Sequence, residues 1–185
     1  MLSDLDVAVT HGINSWAGQA PLIEQLMAWT SAIAVPLVVA AVALQWWWCG
    51  DDKPHTRHVL VATGFSFLLG LAFNQVLLLF IHRIRPYDVG VTHLLIERSA
   101  DFSFPSDHAT ATFAVAAAFL IHGMPRRGSL FIAAAMLMMF SRVYVGTHYV
   151  SDVLGGALTG VAAAGLVRST YLEGTRVDRF VTGIL

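Results

Sequence analysis

Apolar residues along this chain fall into five long runs that are separated by shorter polar segments. The runs cover about 26–49, 58–82, 107–123, 129–145 and 151–168. A helix needs about 20 residues to cross the hydrocarbon core of a bilayer, and the last three runs reach that length only with their polar ends. The pattern predicts an all-α fold, a polytopic membrane helix bundle with about five transmembrane helices. We expect residues 1–185 to form one domain.

The residues before the first run show a different pattern. In MLSDLDVAVTHGINSW the apolar side chains recur at helical spacing, at Leu2, Leu5, Val9, Ile13 and Trp16. This spacing is typical of an amphipathic helix, which would either lie on the membrane or pack against the bundle. Residues 1–20 contain no Lys or Arg, so we do not expect a secretory signal here.

The composition agrees with a membrane protein and excludes several other classes. Of 185 residues, 56% are hydrophobic and 12% are charged, whereas soluble domains have about 25% charged residues. The net charge of −1 argues against a nucleic-acid partner. The single cysteine, Cys49, excludes an internal disulfide and a multi-cysteine metal site. With no carboxylate run suited to magnesium and no HExxH motif, we expect no metal and no cofactor.

Basic residues predict the orientation of the bundle, because cytoplasmic loops have an excess of Lys and Arg. With five spans, one side of the membrane receives Lys53, Arg57, Arg126, Arg127, Arg168, Arg176 and Arg179. The other side receives Arg83, Arg85, Arg98 and Arg142. We therefore expect the first side to be cytoplasmic and the N-terminus to lie outside.

Three polar junctions meet on the predicted outer side, HRIRPYD (82–88), FPSDH (104–108) and SRVYVGTHYVSD (141–152). Ionisable groups at membrane depth usually have a function. Arg85 and Arg142, the hydroxyl of Ser106 and the backbone N–H groups at a helix start would together bind a phosphate or a similar oxyanion.

Two histidines beside this anion site suggest phosphoryl transfer. His148 and Asp152 are four residues apart and would share one face if that segment is helical. Asp152 could then accept a hydrogen bond from one ring nitrogen of His148 and leave the other nitrogen free to attack phosphorus. His108 could protonate the departing oxygen. Such a set provides positioning and charge stabilisation, which this reaction mainly needs.

The three junctions resemble the three-part signature of the type 2 phosphatidic acid phosphatase superfamily. The matching elements are Arg85-Pro86, Pro105-Ser106-x-His108 and Ser141-Arg142-x5-His148-x3-Asp152. The resemblance implies these roles: Arg85, Ser106 and Arg142 bind phosphate, His108 is the acid, His148 the nucleophile and Asp152 its partner.

One departure from the family pattern removes a cation. The family's first motif usually has a lysine seven residues before the arginine, and this chain has Leu78 there. His82 or Arg83 could bind phosphate instead, or the site has one cation fewer. His82 would share a helical face with Leu78 and Arg85, which favours His82.

A second departure adds an acid. Asp107 stands where the commonest form of the motif has glycine. Its charge beside a phosphate site is unfavourable unless it pairs with an arginine, for which Arg83, Arg85 and Arg98 are candidates. A contribution to the phosphate site and an N-cap role for Ser106 or Asp107 both remain open.

The combination of His82-x2-Arg85-Pro86 with PSDHAT resembles the bacitracin-resistance type of undecaprenyl-diphosphate phosphatase. This implies a membrane-embedded isoprenoid lipid diphosphate as partner, hydrolysed through a phosphohistidine at the outer face of the bacterial inner membrane to recycle the cell-wall lipid carrier. Phosphatidylglycerophosphate and phosphatidic acid are alternative substrates. A non-enzymatic transporter or scaffold and a vanadate-dependent haloperoxidase are alternatives of other classes.

The fifth apolar run contains Gly156-x3-Gly160, a spacing that lets two helices approach closely. The motif is consistent with a homodimer through this face. Close packing inside the bundle is the alternative use.

Overall fold

The computed structural model describes residues 2–48 and 52–184, and this part of the chain is helical with no strand. The helices are α1 (Leu2–Asn14), α2 (Pro21–Leu44), α3 (Lys53–Leu78), α4 (Asp107–Ile121), α5 (Pro125–Tyr144), α6 (Val150–Thr170) and α7 (Arg176–Thr182). The predicted all-α bundle is confirmed. The first apolar run was predicted to end at Cys49, which lies outside the described residues.

Three helices, α2, α3 and α6, are long and apolar enough to cross a membrane, and α4 is a shorter apolar helix. Proline within the first two residues begins α2, α3 and α5, where its missing N–H is not needed for a helical hydrogen bond. The side chain of Asp52 caps α3 by accepting a hydrogen bond from the N–H of His55 at 3.3 Å. These local signals set where α2, α3 and α5 begin.

Helix α4 lies in the centre of the bundle and packs against α3, α5 and α6. Most of its residues are buried. Gly156 and Gly160 of α6 are also buried, and a Cβ atom on either one would collide with a backbone oxygen of Ser106 or Thr110. The two glycines therefore pack inside the bundle, and a homodimer through this face is not supported.

Helix α1 packs against the bundle, as one of the two predicted alternatives required. The side chain of Asn14 donates hydrogen bonds to the backbone oxygens of His93 at 2.9 Å and Tyr144 at 2.8 Å. Thr10 accepts one from the N–H of Val150 at 3.0 Å. Leu5 remains exposed. The helix is thus fixed at the end of the molecule where α5 ends and α6 begins.

At the opposite end, a buried polar cluster fastens α7 to the start of α3. The Asp178 carboxylate accepts hydrogen bonds from the Tyr171 hydroxyl at 2.6 Å and the Gly174 N–H at 2.7 Å, and it lies 2.8 Å from His58 Nδ1. Burial alone would raise the pKa of Asp178, but the hydrogen bonds from Tyr171 and His58 lower it. The side chain therefore stays a carboxylate.

We expect Asp178→Ala to destabilise the protein by about 3 kcal/mol, because losing one partner of a buried pair leaves the other uncompensated. Thermal unfolding in detergent measures this as a lower Tm. Glu173→Ala is the matched control, since its contact with His55 is 46% exposed on the glutamate side and such a pair contributes about 0–1 kcal/mol. Equal losses in the two variants would contradict the assignment.

Candidate active site

The three polar junctions converge on one cavity of about 100 Å³ where α3 and α5 end and α4 and α6 begin. Leu78 from α3, Asp107 and His108 from α4, Arg142 from α5, and Arg85 and His148 from the connecting segments line it. The predicted convergence of these segments is thus present in the fold. Each side chain is placed by a helix end or by the segment next to one.

His148 lies in the segment before α6 and is 3% exposed. Its Nδ1 is 2.8 Å from the carbonyl oxygen of Ser103, which assigns the ring proton to Nδ1. The unprotonated Nε2 then faces Arg85 Nη1 at 3.5 Å. Burial, together with Arg142 and Arg85, lowers the pKa of His148 to about 4. The ring is therefore neutral near pH 7, as a nitrogen nucleophile must be.

Asp152 does not hold His148 in the way predicted from their spacing. Helix α6 begins at Val150, so the two residues do not share a helical face. The distance of 3.7 Å between His148 Nδ1 and Asp152 Oδ2 is too long for a hydrogen bond. Asp152 Oδ2 instead accepts hydrogen bonds from the Ser103 hydroxyl at 2.5 Å and the Tyr149 N–H at 2.9 Å. Asp152 therefore acts on His148 through its nearby negative charge and through Ser103, which bonds to both residues.

Arg85 is 6% exposed and is fixed by oxygen atoms of the segments that connect α3 to α4 and α5 to α6. Its Nε donates to the carbonyl oxygen of Asp101 at 2.8 Å, and Nη1 donates to that of Thr147 at 3.0 Å. Nη2 donates to the Ser99 hydroxyl at 3.1 Å. These acceptors are all neutral, so they orient the guanidinium without cancelling its charge. A buried cation held in this way attracts an anion.

Arg142 also lines this cavity, and the buried Ser106 lies between the lining residues Pro105 and Asp107. Arg142 is 7% exposed and donates to the hydroxyl of Ser31 on α2. Its Nε and the hydroxyl of Ser106 have no hydrogen-bond partner among the described residues. Buried polar atoms nearly always have a partner, so these two are suited to receive the oxygens of a ligand. Of the predicted phosphate ligands, Arg85 and Arg142 therefore line one cavity, whereas Ser106 lies beside it in the chain without lining it.

Asp107 forms no ion pair with its three candidate partners, since Arg83 binds Asp6 and Asp152, Arg98 binds Asp88 and Arg85 binds neutral oxygens. Its Oδ1 accepts a hydrogen bond from the side chain of Asn74 at 2.7 Å. Asn74 also donates to Thr110 at 2.8 Å, so it joins α3 to the start of α4. Ser106 stands at the N-cap position but makes no side-chain capping bond. The carboxylate of Asp107 remains at the edge of the cavity.

His82 and Arg83, the two candidates to replace the family's lysine, do not line the cavity. Helix α3 ends at Leu78, so the predicted helical face shared by Leu78, His82 and Arg85 does not exist. His82 is exposed and packs on the ring of Phe102. Arg83 binds Asp152 and Asp6 on the other side of the segment. Leu78 itself lines the cavity, which therefore has an apolar wall where the family has a cation.

Sequence reasoning missed several residues that organise the site. Ser103 binds both His148 and Asp152, and Asn74 binds Asp107. Asn74 was visible as a polar residue inside an apolar run, whereas Ser103 had no distinguishing pattern. In the described part of the chain no three His, Cys, Asp or Glu side chains are grouped so that they could hold a metal ion.

Comparison with known proteins adds the following findings. Residues 59–176 match the PAP2 superfamily. The chain is 32% identical over 157 residues to undecaprenyl-diphosphatase BcrC of Bacillus subtilis, covering 85% of this chain and 79% of that protein. It is 31% identical over 162 residues to the putative undecaprenyl-diphosphatase YbjG of Escherichia coli, covering 87% of this chain and 80% of that protein.

The fold is shared with a solved structure, LpxE of Aquifex aeolicus. The TM-score is 0.72 at 21% sequence identity, over 89% of this chain and 95% of that chain. At this identity the likeness concerns the arrangement of the helices alone.

Proposed function

Because the chain belongs to the PAP2 superfamily and is a multi-pass membrane lipid phosphatase of that family, we propose that its substrate is undecaprenyl diphosphate. The observation that supports this substrate is similarity over most of the chain to two proteins named as undecaprenyl-diphosphatases. The product would be undecaprenyl phosphate, the recycled lipid carrier of cell-wall synthesis. Abundant enzyme would then raise tolerance to bacitracin.

The proposed reaction begins at His148. Its Nε2 attacks the terminal phosphorus of the diphosphate, and the bond from that phosphorus to the bridging oxygen breaks. His108, protonated when the substrate binds, gives this proton to the departing oxygen, so undecaprenyl phosphate leaves and the phosphoryl group stays on His148. Water then attacks this phosphohistidine with His108 as the base, which releases inorganic phosphate and restores the neutral imidazole.

Arg85, Arg142 and Ser106 supply the charge stabilisation in this proposal. The two guanidinium groups and the hydroxyl would contact the oxygens of the transferring phosphoryl group, whose negative charge is spread over those oxygens. The buried Nε of Arg142 and the Ser106 hydroxyl gain partners in the same step. Arg85 and Arg142 are already held by hydrogen bonds before the substrate binds.

Asp107 and Leu78 would distinguish this site from that of relatives with the usual lysine and glycine. Asn74 holds the Asp107 carboxylate at the cavity edge, 2.7 Å from its amide nitrogen. The apolar side chain of Leu78 would face the first carbons of the lipid. Most of the binding energy would come from the tail, which stays in the bilayer.

The substrate proposal is tested by phosphate release from undecaprenyl diphosphate, phosphatidylglycerophosphate and phosphatidic acid, with purified protein in detergent and EDTA present. We expect the highest kcat/KM for the diphosphate and the same rate with and without EDTA. His148→Gln, purified identically, controls for contaminating phosphatases. A preference for either glycerophospholipid would replace the substrate, and a strict need for magnesium would contradict the route through His148.

The side of the membrane is a separate proposal: we place the cavity at the outer, periplasmic face of the bacterial inner membrane. It is supported by the excess of Lys and Arg in the segments at the other end. There the Arg57 Nη1 donates to the Thr182 oxygen of the tail at 3.0 Å. Cytoplasmic segments have such an excess.

Two single-cysteine variants, His93→Cys and Arg126→Cys in a Cys49→Ala background, test this orientation. His93 is exposed at the cavity end, and Arg126 is exposed at the opposite end. In intact spheroplasts, a membrane-impermeant maleimide is expected to label the cysteine at 93 and to leave the one at 126 unlabelled until the cells are broken. The reverse labelling would invert the orientation.

A further inference from the structure

Arg83 lies two residues before the cavity arginine Arg85 but points to the other side of the segment. Its Nη1 donates to Asp152 Oδ1 at 2.6 Å and to the Ser151 hydroxyl at 2.5 Å. Its Nη2 donates to Asp6 Oδ2 at 2.6 Å. The guanidinium also lies over the ring of Tyr149, with 3.8 Å from Cζ to the ring centroid. One cation thus joins an acid of α1 to an acid of α6.

Asp6 is bound to the start of α6 by more than this ion pair. Its Oδ1 accepts a hydrogen bond from the Ser151 N–H at 2.9 Å, and its Oδ2 accepts one from the Ser151 hydroxyl at 2.5 Å. The carboxylate side chain is 12% exposed. A helix start stabilises a carboxylate there. Helix α1 lies outside residues 59–176, which are the ones that match the family.

The same network continues from Asp152 to the proposed nucleophile. Asp152 uses Oδ1 for Arg83 and Oδ2 for the Ser103 hydroxyl. The carbonyl oxygen of Ser103 accepts the Nδ1 proton of His148 at 2.8 Å. A continuous line of contacts therefore runs from Asp6 through Arg83, Asp152 and Ser103 to His148.

We propose that Asp6, acting through Arg83, is a positioning residue that aligns His148 for attack; this rests on the phosphatase function proposed above. Asp152 is fully buried, and a buried carboxylate needs a fixed cation and hydrogen-bond donors. Arg83 is that cation: its Nη1 binds Asp152, and its Nη2 binds Asp6. With Asp6 in place, Asp152 fixes Ser103, and the Ser103 carbonyl sets both the tautomer and the direction of Nε2.

The docking of α1 does not depend on Asp6 alone, which makes the proposal testable. Thr10 binds the N–H of Val150, and Asn14 binds His93 and Tyr144, in separate contacts along the same helix. Asp6→Asn is nearly isosteric and keeps an acceptor for Ser151. The substitution therefore removes the charge that holds Arg83 while leaving the other anchors of α1 in place.

We expect Asp6→Asn to lower kcat on the lipid diphosphate by about 10- to 100-fold, since small misplacements of a reacting group can have effects of this size. KM is expected to change by less than about twofold, because the phosphate-binding side chains are untouched. Asp6→Glu is expected to restore part of kcat. Asp4→Asn, which removes an exposed charge from the same helix, is the matched control and keeps the wild-type rate.

A double-mutant cycle separates positioning from a general loss of stability. If Asp6 acts through Arg83, the variant Asp6→Asn/Arg83→Gln is no slower than Arg83→Gln alone. A fully additive loss, an unchanged kcat in Asp6→Asn, or the same loss in Asp4→Asn would each overturn the proposal. A loss of kcat in Asp6→Asn that parallels a fall in Tm, and that Asp6→Glu does not restore, would also overturn the proposal.

A readout that does not need turnover distinguishes this proposal from the proposed function. In full-length protein labelled with 15N-histidine, the Nδ1–H resonance of His148 is expected to shift and to exchange faster with water in Asp6→Asn. It is expected to stay unchanged in Asp4→Asn. Wild-type protein that hydrolyses none of the lipid phosphates would remove the proposed function, whereas identical His148 resonances in wild type and Asp6→Asn would overturn the positioning role.

Discussion

The cavity end of this protein is arranged around one buried carboxylate, that of Asp152. The residue has no exposed surface and lies in the first turn of α6. An ionised carboxylate in such a place is strongly unfavourable without a paired cation and donors for both oxygens. Arg83 bonds to one oxygen, and the Ser103 hydroxyl and the Tyr149 N–H bond to the other. Satisfying this charge fixes the segments before α4 and α6, from which the cavity is built.

The cavity itself has the opposite electrostatic character. Arg85 is held by neutral oxygens, and the Nε of Arg142 has no partner among the described residues. Positive charge is thus oriented but not neutralised, which is what binding of a phosphoryl group requires. The acids of this region, Asp152 and Asp6, are occupied by Arg83, while Asp107 is bound to Asn74. Arg83 thus binds Asp152 and Asp6 away from the two cavity arginines, whereas Asp107 remains at the edge of the cavity.

Much of the fold and of the site could be predicted because both leave regular patterns. The five apolar runs match the five long helices α2 to α6 in number and order, and fixed spacings identified Arg85, His108, Arg142 and His148, which line the cavity. Predictions failed where they depended on the exact end of a helix. Helix α3 ends at Leu78 and α6 begins at Val150, so the helical faces assumed for His82 and for His148 do not exist.

Contacts between distant segments left no pattern to detect. Asp6 and Arg83 are 77 positions apart, and neither sequence neighbourhood indicates the other. Asn74 stood out as a polar residue in an apolar run, but its partner Asp107 could be found only in three dimensions. Formation of a phosphohistidine at His148 is tested most directly by a phosphoenzyme measurement.

In that measurement, enzyme mixed with undecaprenyl diphosphate labelled with 32P in the terminal phosphate is quenched in alkali within milliseconds and digested. We expect a base-stable, acid-labile phosphate on the peptide that contains His148, formed and lost at rates compatible with kcat and absent from His148→Gln. Turnover without such a species, phosphate on another residue, or an active His148→Gln enzyme would contradict the account.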